Sequence, residues 1–495
     1  MRRFLYILVV GLVISAVFSS GQIENPDTHL RLTQTRIAID DHSFGVPFGV
    51  GEDSHGNIAI NTEGQRYMVY NPGQSIVFVP IYLFANKIKS SATEVYYFSA
   101  FLVSFLNYLL HVFATYILYQ ICLKLDASKK KSIIVALFFG LTSYSFSFAQ
   151  STYEHHYEML AILICFYLAL DSKIRHVGCY IGLTISIGMI FRSTTVLAIP
   201  GLFFLLNNKR ESLRLLVTCI PGGLFILAYN YIRFDNILES GYMLAWELAH
   251  GEYLDRFWSL KEIPISALKL FFSPGKGVVF FSTTVFISVF YLQRFLKENV
   301  RLATSIIVTL LLYILVFCSN FAWHGSVWSF GPRYILPVIP LLYLPMIKLK
   351  IRRWVYYLLF LGFFSQIILV SVNYKRNVLE SFVYKSDFSE QQYISDWSNV
   401  PQVSQATQLI KIASKNFSSE LKNLQPNTFW VREQRLGTNQ DVLEYSIEKN
   451  SFNFWWIRIL HWKLSFWIGC IAFFVLLICT VLGFIFINDV RKKLH

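Results

Sequence analysis

Charged residues are scarce in this chain. Only 15% of its 495 residues are Asp, Glu, Lys or Arg, whereas 54% are hydrophobic and 17% are aromatic. Such a composition excludes a soluble domain and indicates a polytopic membrane protein. Cysteine is also rare, and all seven cysteines lie inside apolar runs. This placement excludes a disulfide framework and a cysteine-based metal motif.

The net charge of +14 is not spread evenly along the chain. Basic residues gather in short clusters between hydrophobic segments, and these clusters account for the whole excess. Because Lys and Arg are retained on the cytoplasmic side of membrane proteins, the clusters indicate orientation and not nucleic-acid binding. They lie at Arg2–Arg3, Lys124–Lys131, Lys173–Arg175, Lys209–Arg214, Arg294–Arg301, Lys348–Arg353 and Arg491–Lys493.

The hydrophobic segments predict an all-α fold of about twelve transmembrane helices, with both termini cytoplasmic. Residues 3–20 also fit a cleaved signal peptide, but we expect a retained helix. The apolar run 177–207 would be about 46 Å long as one helix, against a membrane core of about 30 Å. We therefore expect two crossings there, with Arg192 at their outer turn. The remaining expected crossings are 96–123, 131–149, 153–171, 213–232, 277–294, 300–319, 333–348, 353–372 and 464–488.

The chain divides into three parts. Residues 1–372 form a membrane module whose first outer loop, 21–95, is long and acidic. Residues 373–462 form a polar outer segment that ends in an aromatic anchor, and 463–495 hold the last crossing and a basic cytoplasmic tail. Within the first loop, residues 27–40 have helical spacing. The apolar segment 75–88 is too short to cross, so we expect an amphipathic or re-entrant helix there.

Asp27 follows the first hydrophobic segment, at the level where lipid headgroups begin. A carboxylate at this place can accept a proton from an acceptor hydroxyl, or hold a metal or a sugar. Arg31 stands four residues later and would share its helix face. The alternative is structural: Pro26 and Asp27 begin a helix, and acids are favoured in a first helical turn.

Glu154, His155 and His156 open an expected crossing. A glutamate beside two histidines can bind a metal or move protons. However, adjacent residues point to different sides of a helix, so a hydrogen bond to substrate is favoured over a metal. Simple solvation at the membrane interface is the alternative that requires no function.

Three cations, Arg192, Lys276 and Arg333, stand at the expected outer edge of helices. The preference of Lys and Arg for the cytoplasmic side does not explain cations at this edge. A lipid phosphate or pyrophosphate would pair with them. Snorkelling of Arg192 and contact with ordinary phospholipid headgroups are the alternatives. The segment Ser273–Gly277 around Lys276 is not a P-loop, because its spacing is wrong and no strand precedes it.

Several short motifs, taken in their order along the chain, resemble those of the C-type (GT-C) superfamily of integral membrane glycosyltransferases. The branch related to protein mannosyltransferases and lipid A aminoarabinose transferases is the most similar. The resemblance covers about residues 1–350. It is carried by Asp27 with Arg31, Tyr67 through Gln74-Ser75, Ser151–His155, Arg192-Ser193, Tyr229-Asn230 with Arg233-Phe234 and Gly241-Tyr242, Ser273-Pro274 with Gly277, and Trp323 with Gly331–Tyr334.

The resemblance implies a GT-C-like fold and an enzyme of the cell membrane. Such a glycosyltransferase moves a hexose or pentose from a polyprenyl-phosphate donor to a glycan, lipid or protein acceptor on the outer (periplasmic) face, usually with inversion. It implies that Asp27 is the catalytic base. It further implies candidate second-acid or substrate-binding roles for Glu154, His155, Arg31, Tyr67, Tyr70 and Gln74, and lipid-phosphate binding by Arg192, Lys276 and Arg333.

One departure from the family pattern and one feature that varies within the family affect these expectations. Many relatives carry adjacent acids where Asp27 is followed here by Thr28, so a second acid would come from elsewhere, with Glu154 as the candidate. Some relatives use a divalent metal and others do not, which leaves the metal open. We expect no other cofactor and no nucleic-acid partner.

Two other functions compete with this one. A transporter or flippase of lipid-linked sugars would show repeated halves and polar residues at the membrane midplane. Here the halves differ, and the polar residues gather at one face. A glycan ligase or polymerase would depend on one very large late outer loop, which the segment 373–462 matches in part.

Overall fold

The computed structural model describes residues 2–47, 57–171, 173–206, 208–250, 258–320, 322–326, 328–374, 390–397, 400–413 and 453–456. In these ranges the chain is mostly helical, and its strands form one two-stranded antiparallel sheet. The predicted helical class is confirmed. The predicted crossing at 464–488, the basic tail and most of the segment 373–462 lie outside the described residues.

The first loop is structured, as its spacing predicts. Helix α1 (Arg2–Phe18) is followed by α2 (Pro26–Asp40), and α3 (Gly73–Ile88) completes the loop. Helix α2 begins at this point because the Asn25 side chain accepts a hydrogen bond from the Thr28 N–H at 2.8 Å. Pro26 fits the first turn, where its missing N–H removes no helical hydrogen bond.

A short hairpin connects α2 to α3. Strand β1 (Ile58–Ile60) pairs with β2 (Arg66–Met68), with Ala59 opposite Tyr67. The hairpin packs against Leu30 of α2 and against the end of a later helix, α11 (Lys209–Phe234). Arg233, fully buried at the end of α11, donates a hydrogen bond to the Met68 carbonyl oxygen at 2.5 Å. This contact fixes the hairpin to α11.

Four helical segments are long and apolar enough to span a membrane. They are α4 (Ala92–Val103) together with α5 (Leu106–Lys124), then α11, α16 (Val300–Cys318) and α17 (Arg353–Ser371). They coincide with the predicted crossings at 96–123, 213–232, 300–319 and 353–372. These apolar helices are what an integral membrane protein requires.

The predicted crossing at 131–149 is not one straight helix. It consists of α6 (Lys129–Thr142) and a second piece that begins with α7 (Tyr144–Phe148), and the two are bent by 49°. Counting this bent pair as one span raises the number of candidate spans from four to five. The count of twelve crossings therefore stays a prediction.

Several apolar helices are shorter. They include α8 (His155–Ala169), α9 (Val177–Phe191), and the 3₁₀ turn Ser193–Ala198 with α10 (Ile199–Phe203). Four further short helices lie between α11 and α16: α12 (Tyr242–His250), α13 (Ile263–Phe272), α14 (Val278–Phe281) and α15 (Phe286–Glu298). The described chain ends in α18 (Glu390–Ser395), α19 (Pro401–Ala413) and the short anchor 453–456. The predicted crossing at 277–294 is interrupted at Ser282, between α14 and a 3₁₀ turn.

The segment predicted to cross at 333–348 is a 3₁₀ helix, Arg333–Lys348. Pro337, Pro340 and Pro345 each lack an N–H donor, which works against a regular α-helix. A 3₁₀ helix rises about 2.0 Å per residue, so this one is about 32 Å long and matches a membrane core of about 30 Å. It is buried almost throughout and packs against α6, α8, α15 and α16.

Helices α9 and α11 approach each other closely through small residues. Gly178, Gly182 and Ser186 recur every fourth residue of α9 and face α11. On α11, a side chain at Gly222 would place its Cβ 2.5 Å from the Ser186 Cα atom. Such small-residue contacts are a common way to pack helices in membranes. The contact positions the end of α9, where Arg192 lies.

We predict that Gly222→Ala destabilises the protein. The added methyl group must push α9 away from α11, at a cost of about 1–3 kcal/mol, the range for overpacking. The neighbouring Gly223→Ala is the matched control, since its Cβ would meet only Met189 Cε at 4.0 Å. Thermal unfolding in detergent should show a lower midpoint for Gly222→Ala and no loss for Gly223→Ala. Equal midpoints would contradict the close contact.

Candidate functional site

The candidate site lies where the amino ends of α2 and α8 meet the carboxyl end of α9. Asp27 occupies the first turn of α2, while Glu154 is the residue just before α8 and Glu158 lies in the first turn of α8. Acids are favoured at these places by the partial positive charge of a helix amino end. Arg192 leaves α9 in extended backbone geometry, with φ −147° and ψ 120°. This local geometry brings acids and a guanidinium together.

Glu154 is shared by two arginines. Its Oε2 atom lies 3.0 Å from Arg31 Nη1, and its Oε1 atom lies 2.7 Å from Arg192 Nη1. All three side chains are largely buried. A buried carboxylate is stable only when it is paired, so the two arginines keep Glu154 ionised between them.

Glu158 completes the environment of Arg192. Its Oε2 atom lies 3.0 Å from Arg192 Nε, and it is fully buried. Its Oε1 atom accepts hydrogen bonds from Thr194 Oγ1 and from the Tyr313 hydroxyl, both at 2.6 Å. Arg192 is therefore held between two carboxylates, and Tyr313 connects the group to the long helix α16.

Asp27 pairs with Arg333 more loosely. The distance from Asp27 Oδ2 to Arg333 Nη1 is 3.4 Å, and the side chains are 14% and 12% exposed. The Arg333 guanidinium lies over two rings, 4.5 Å from the centroid of Tyr153 and 5.3 Å from that of Tyr334. Arg333 Nε has no hydrogen-bond partner in the described part of the chain. This pair is the looser end of the network.

Tyr70 adds a neutral hydroxyl beside Asp27. Burial and then the charge of Asp27 raise the pKa of Tyr70 well above its usual value. The hydroxyl therefore stays protonated and donates to Asn57 Oδ1 at 2.7 Å. The Arg31 guanidinium lies 4.0 Å from the centroid of the same ring. Tyr70 thus fixes Arg31 from one side while Glu154 pairs with it.

The structure gathers most of the predicted site residues. Asp27, Arg31, Tyr70, Glu154, Arg192 and Arg333 form the network described above, and His155 lies against it. The sequence placed Arg31 on the helix face of Asp27, and the structure adds its ion-pair partner, Glu154. Spacing along α2 does not reveal this partner, because Glu154 comes from another helix.

Three other predicted site residues form hydrogen bonds outside the ion pairs of the network. Gln74 donates to the Thr152 carbonyl oxygen at 2.7 Å and so fixes the turn before Glu154. Tyr67 donates to Gln65 within the hairpin region. Lys276 is fully buried, and its ammonium donates to the carbonyl oxygens of Ser329 and Gly331.

The predicted binding of a lipid phosphate by the three cations stays a prediction. Arg192 is already held by Glu154 and Glu158, and Lys276 by backbone carbonyls. Arg333 is the member with an unused donor among the described residues. The described network contains three carboxylates and three guanidiniums, so its formal charges balance.

Sequence reasoning missed Glu158 and Tyr313. An acid four residues after Glu154, inside an apolar helix, occupies the same helix face, and this spacing was available as a signal. Tyr313 gave no such signal, because its role depends on how α16 packs. Within the described residues, no group of three or more His, Cys, Asp or Glu side chains is arranged to hold a metal ion.

We predict that Glu154→Gln strongly destabilises the protein. The amide would leave Arg31 and Arg192 without their shared charge, and breaking a buried pair costs about 3–5 kcal/mol. Glu94→Gln is the control, because Glu94 is an exposed first-turn acid of α4. A midpoint of thermal unfolding that falls for Glu154→Gln alone is expected. If both variants unfold like the wild type, Glu154 is not held in the way described.

Comparisons with known proteins found no matching family model, no matching curated protein and no matching solved structure.

Proposed function

We propose that the protein is a membrane glycosyltransferase of the C-type (GT-C) class. It transfers a sugar from a polyprenyl-phosphate donor to a hydroxyl acceptor on the outer face, with inversion. One observation carries the proposal: a buried ionic network assembled from distant parts of the chain. The Asp27–Arg333 pair alone joins residues 306 positions apart.

Stability does not account for such a network. Burying charges costs desolvation energy, and apolar residues of the same volume often give equal or greater stability. In membrane proteins, buried ionisable groups mark sites of function more often than structural contacts. The network lies at helix ends and includes Asp27, the acid at its looser end.

Asp27 has the position that a general base requires. Its partial exposure allows contact with a ligand, and its ion pair at 3.4 Å is longer than the other three of the network. In the proposed reaction, Asp27 accepts the proton of the acceptor hydroxyl. The acceptor oxygen forms a bond to the anomeric carbon of the sugar.

The bond between that carbon and the phosphate oxygen breaks, and its electron pair stays on the phosphate. Arg333 supports this step, because it lies beside Asp27 and has an unused Nε donor. A guanidinium is suited to phosphate oxygens, and it stabilises the charge that develops as the sugar leaves. The tyrosine rings on which Arg333 lies keep it in place.

We predict that Asp27→Asn abolishes sugar transfer while the protein is still made and inserted. The test uses a strain that lacks the gene and is complemented with each variant. Mass spectrometry then measures its lipid-linked sugars and surface glycans. The deletion should accumulate one polyprenyl-phosphate sugar, and wild type should reverse this. Asp27→Asn should not reverse it, because the amide cannot accept the proton.

Asp41→Asn is the control, since Asp41 is an exposed acid at the other end of α2. It should restore transfer fully. Restoration by Asp27→Asn would remove Asp27 as the base. A transporter would instead move a labelled lipid-linked sugar across liposomes without any acceptor, and that result would contradict the enzyme.

A further inference from the structure

Helix α19 buries its polar side chains and exposes its apolar ones. Gln405 and Gln408 are 0% and 2% exposed, and α19 packs against the candidate span α17. On the opposite face of α19, Val403 is 63% exposed and Ile410 is 68% exposed. A helix surrounded by water has the reverse arrangement, with its apolar residues against the protein. In a membrane, by contrast, polar side chains face the interior of the helix bundle.

The hydrogen bonds of the exposed face also suit hydrocarbon. Thr407 lies on this face between Val403 and Ile410, and its hydroxyl donates to the Val403 carbonyl oxygen at 2.9 Å. None of these three described side chains therefore presents an unused donor. Threonine in membrane helices commonly satisfies its hydroxyl in this way, because hydrocarbon offers no hydrogen-bond partner.

The amide of Gln405 supports the same environment. Within the described ranges, neither the oxygen nor the nitrogen of this amide has a hydrogen-bond partner. Beside water, the amide would gain hydrogen bonds by turning outward, since an unbonded buried amide costs free energy. Beside hydrocarbon, turning outward gains no hydrogen bond, so the buried position against α17 is retained.

Two glutamines set the depth of α19 beside α17. Gln366 of α17 donates to the Phe281 carbonyl oxygen at 2.9 Å, and Gln402 of α19 donates to the Phe280 carbonyl oxygen at 2.6 Å. These consecutive carbonyls need partners because α14 ends at Phe281. Gln366 lies five residues before the end of α17, which is about 7.5 Å along the helix axis. The first turn of α19 therefore lies within the length of a helix that is apolar enough to span a membrane.

The surroundings of α19 have the same character. Trp397, four residues before α19, is exposed and contacts Phe280 edge to face, with ring centroids 5.4 Å apart. Tryptophan is enriched at the boundary between lipid and water. Phe360 and Phe364 of the adjacent helix α17 are also exposed. The exposed apolar faces of α17 and α19 thus belong to neighbouring helices and need the same kind of partner.

We propose that α19 lies within the membrane and that its face of Val403, Thr407 and Ile410 binds the acyl chains of bilayer lipids. Part of the segment 373–462, predicted as a polar outer segment, then enters the bilayer with α19. The inference is independent of the proposed transferase, since it requires neither a sugar nor a phosphate.

The test measures which molecules reach this face. The variants Val403→Cys, Ile410→Cys and Thr62→Cys carry a nitroxide spin label, in full-length protein whose native cysteines are replaced by alanine. Each is reconstituted in phosphatidylcholine vesicles. Power-saturation electron paramagnetic resonance compares collisions with oxygen, which concentrates in lipid, and with a water-soluble nickel chelate.

Oxygen collisions should exceed chelate collisions several-fold at Val403→Cys and Ile410→Cys. The ratio should reverse at the control Thr62→Cys, an exposed residue of the hairpin turn. Greater access of the chelate at either position of α19 would place the face in water. Exclusion of both reagents would place it against protein, and either result would overturn the inference.

A second measurement keeps the native cysteines. A photoreactive p-benzoylphenylalanine replaces Val403 or Ile410, the protein is irradiated in the same vesicles, and mass spectrometry identifies the adducts. Adducts with phospholipid acyl chains are expected at both positions, and none when the same residue replaces Thr62. Without lipid adducts at the two positions of α19 the inference fails. Crosslinks to a second copy or within the chain would then identify a protein partner for this face.

Discussion

The sharing of the Glu154 carboxylate by Arg31 and Arg192 is the contact on which the rest of the site depends. It joins α2, α8 and the end of α9, and α2 is distant in sequence from the other two helices. Each arginine needs a counter-charge once it is buried: Arg31 finds it when α2 meets α8, and Arg192 finds it when the end of α9 meets α8. The network therefore specifies the relative position of these elements, at a cost in desolvation.

Packing outside the network explains why its members meet. The small residues Gly178, Gly182 and Ser186 let α9 approach α11, which sets the position of Arg192. The proline-rich 3₁₀ helix Arg333–Lys348 begins at the residue that pairs with Asp27. Lys276 bonds the backbone just before it, at Ser329 and Gly331, and thereby positions that start.

The sequence predicted the features that depend on short stretches of chain. Asn25 and Pro26 mark the start of α2, and the apolar lengths of α11, α16 and α17 mark candidate spans. Asp27 and Glu154 are site candidates from sequence because carboxylates at the membrane edge can move protons, and Arg192 is one because its charge lies at the outer edge of apolar helices. Composition and charge pattern were enough to indicate an integral membrane protein.

The pairing of these residues could not be predicted in the same way. Arg31 and Asp27 share a helix face, yet each pairs with a residue from another element, because tertiary packing decides which charges become neighbours. The apolar pattern also did not predict the bend between α6 and α7 or the 3₁₀ helix that begins at Arg333. Hydrophobicity indicates which residues are buried, but it does not indicate the type of helix.

The most direct test of the account is an experimental structure of the protein in a lipid nanodisc with a polyprenyl phosphate bound. The account predicts phosphate density within hydrogen-bond distance of Arg333 and beside Asp27. Glu154 should remain between Arg31 and Arg192. Phosphate density at another place, with the Asp27–Arg333 pair unchanged, would contradict it.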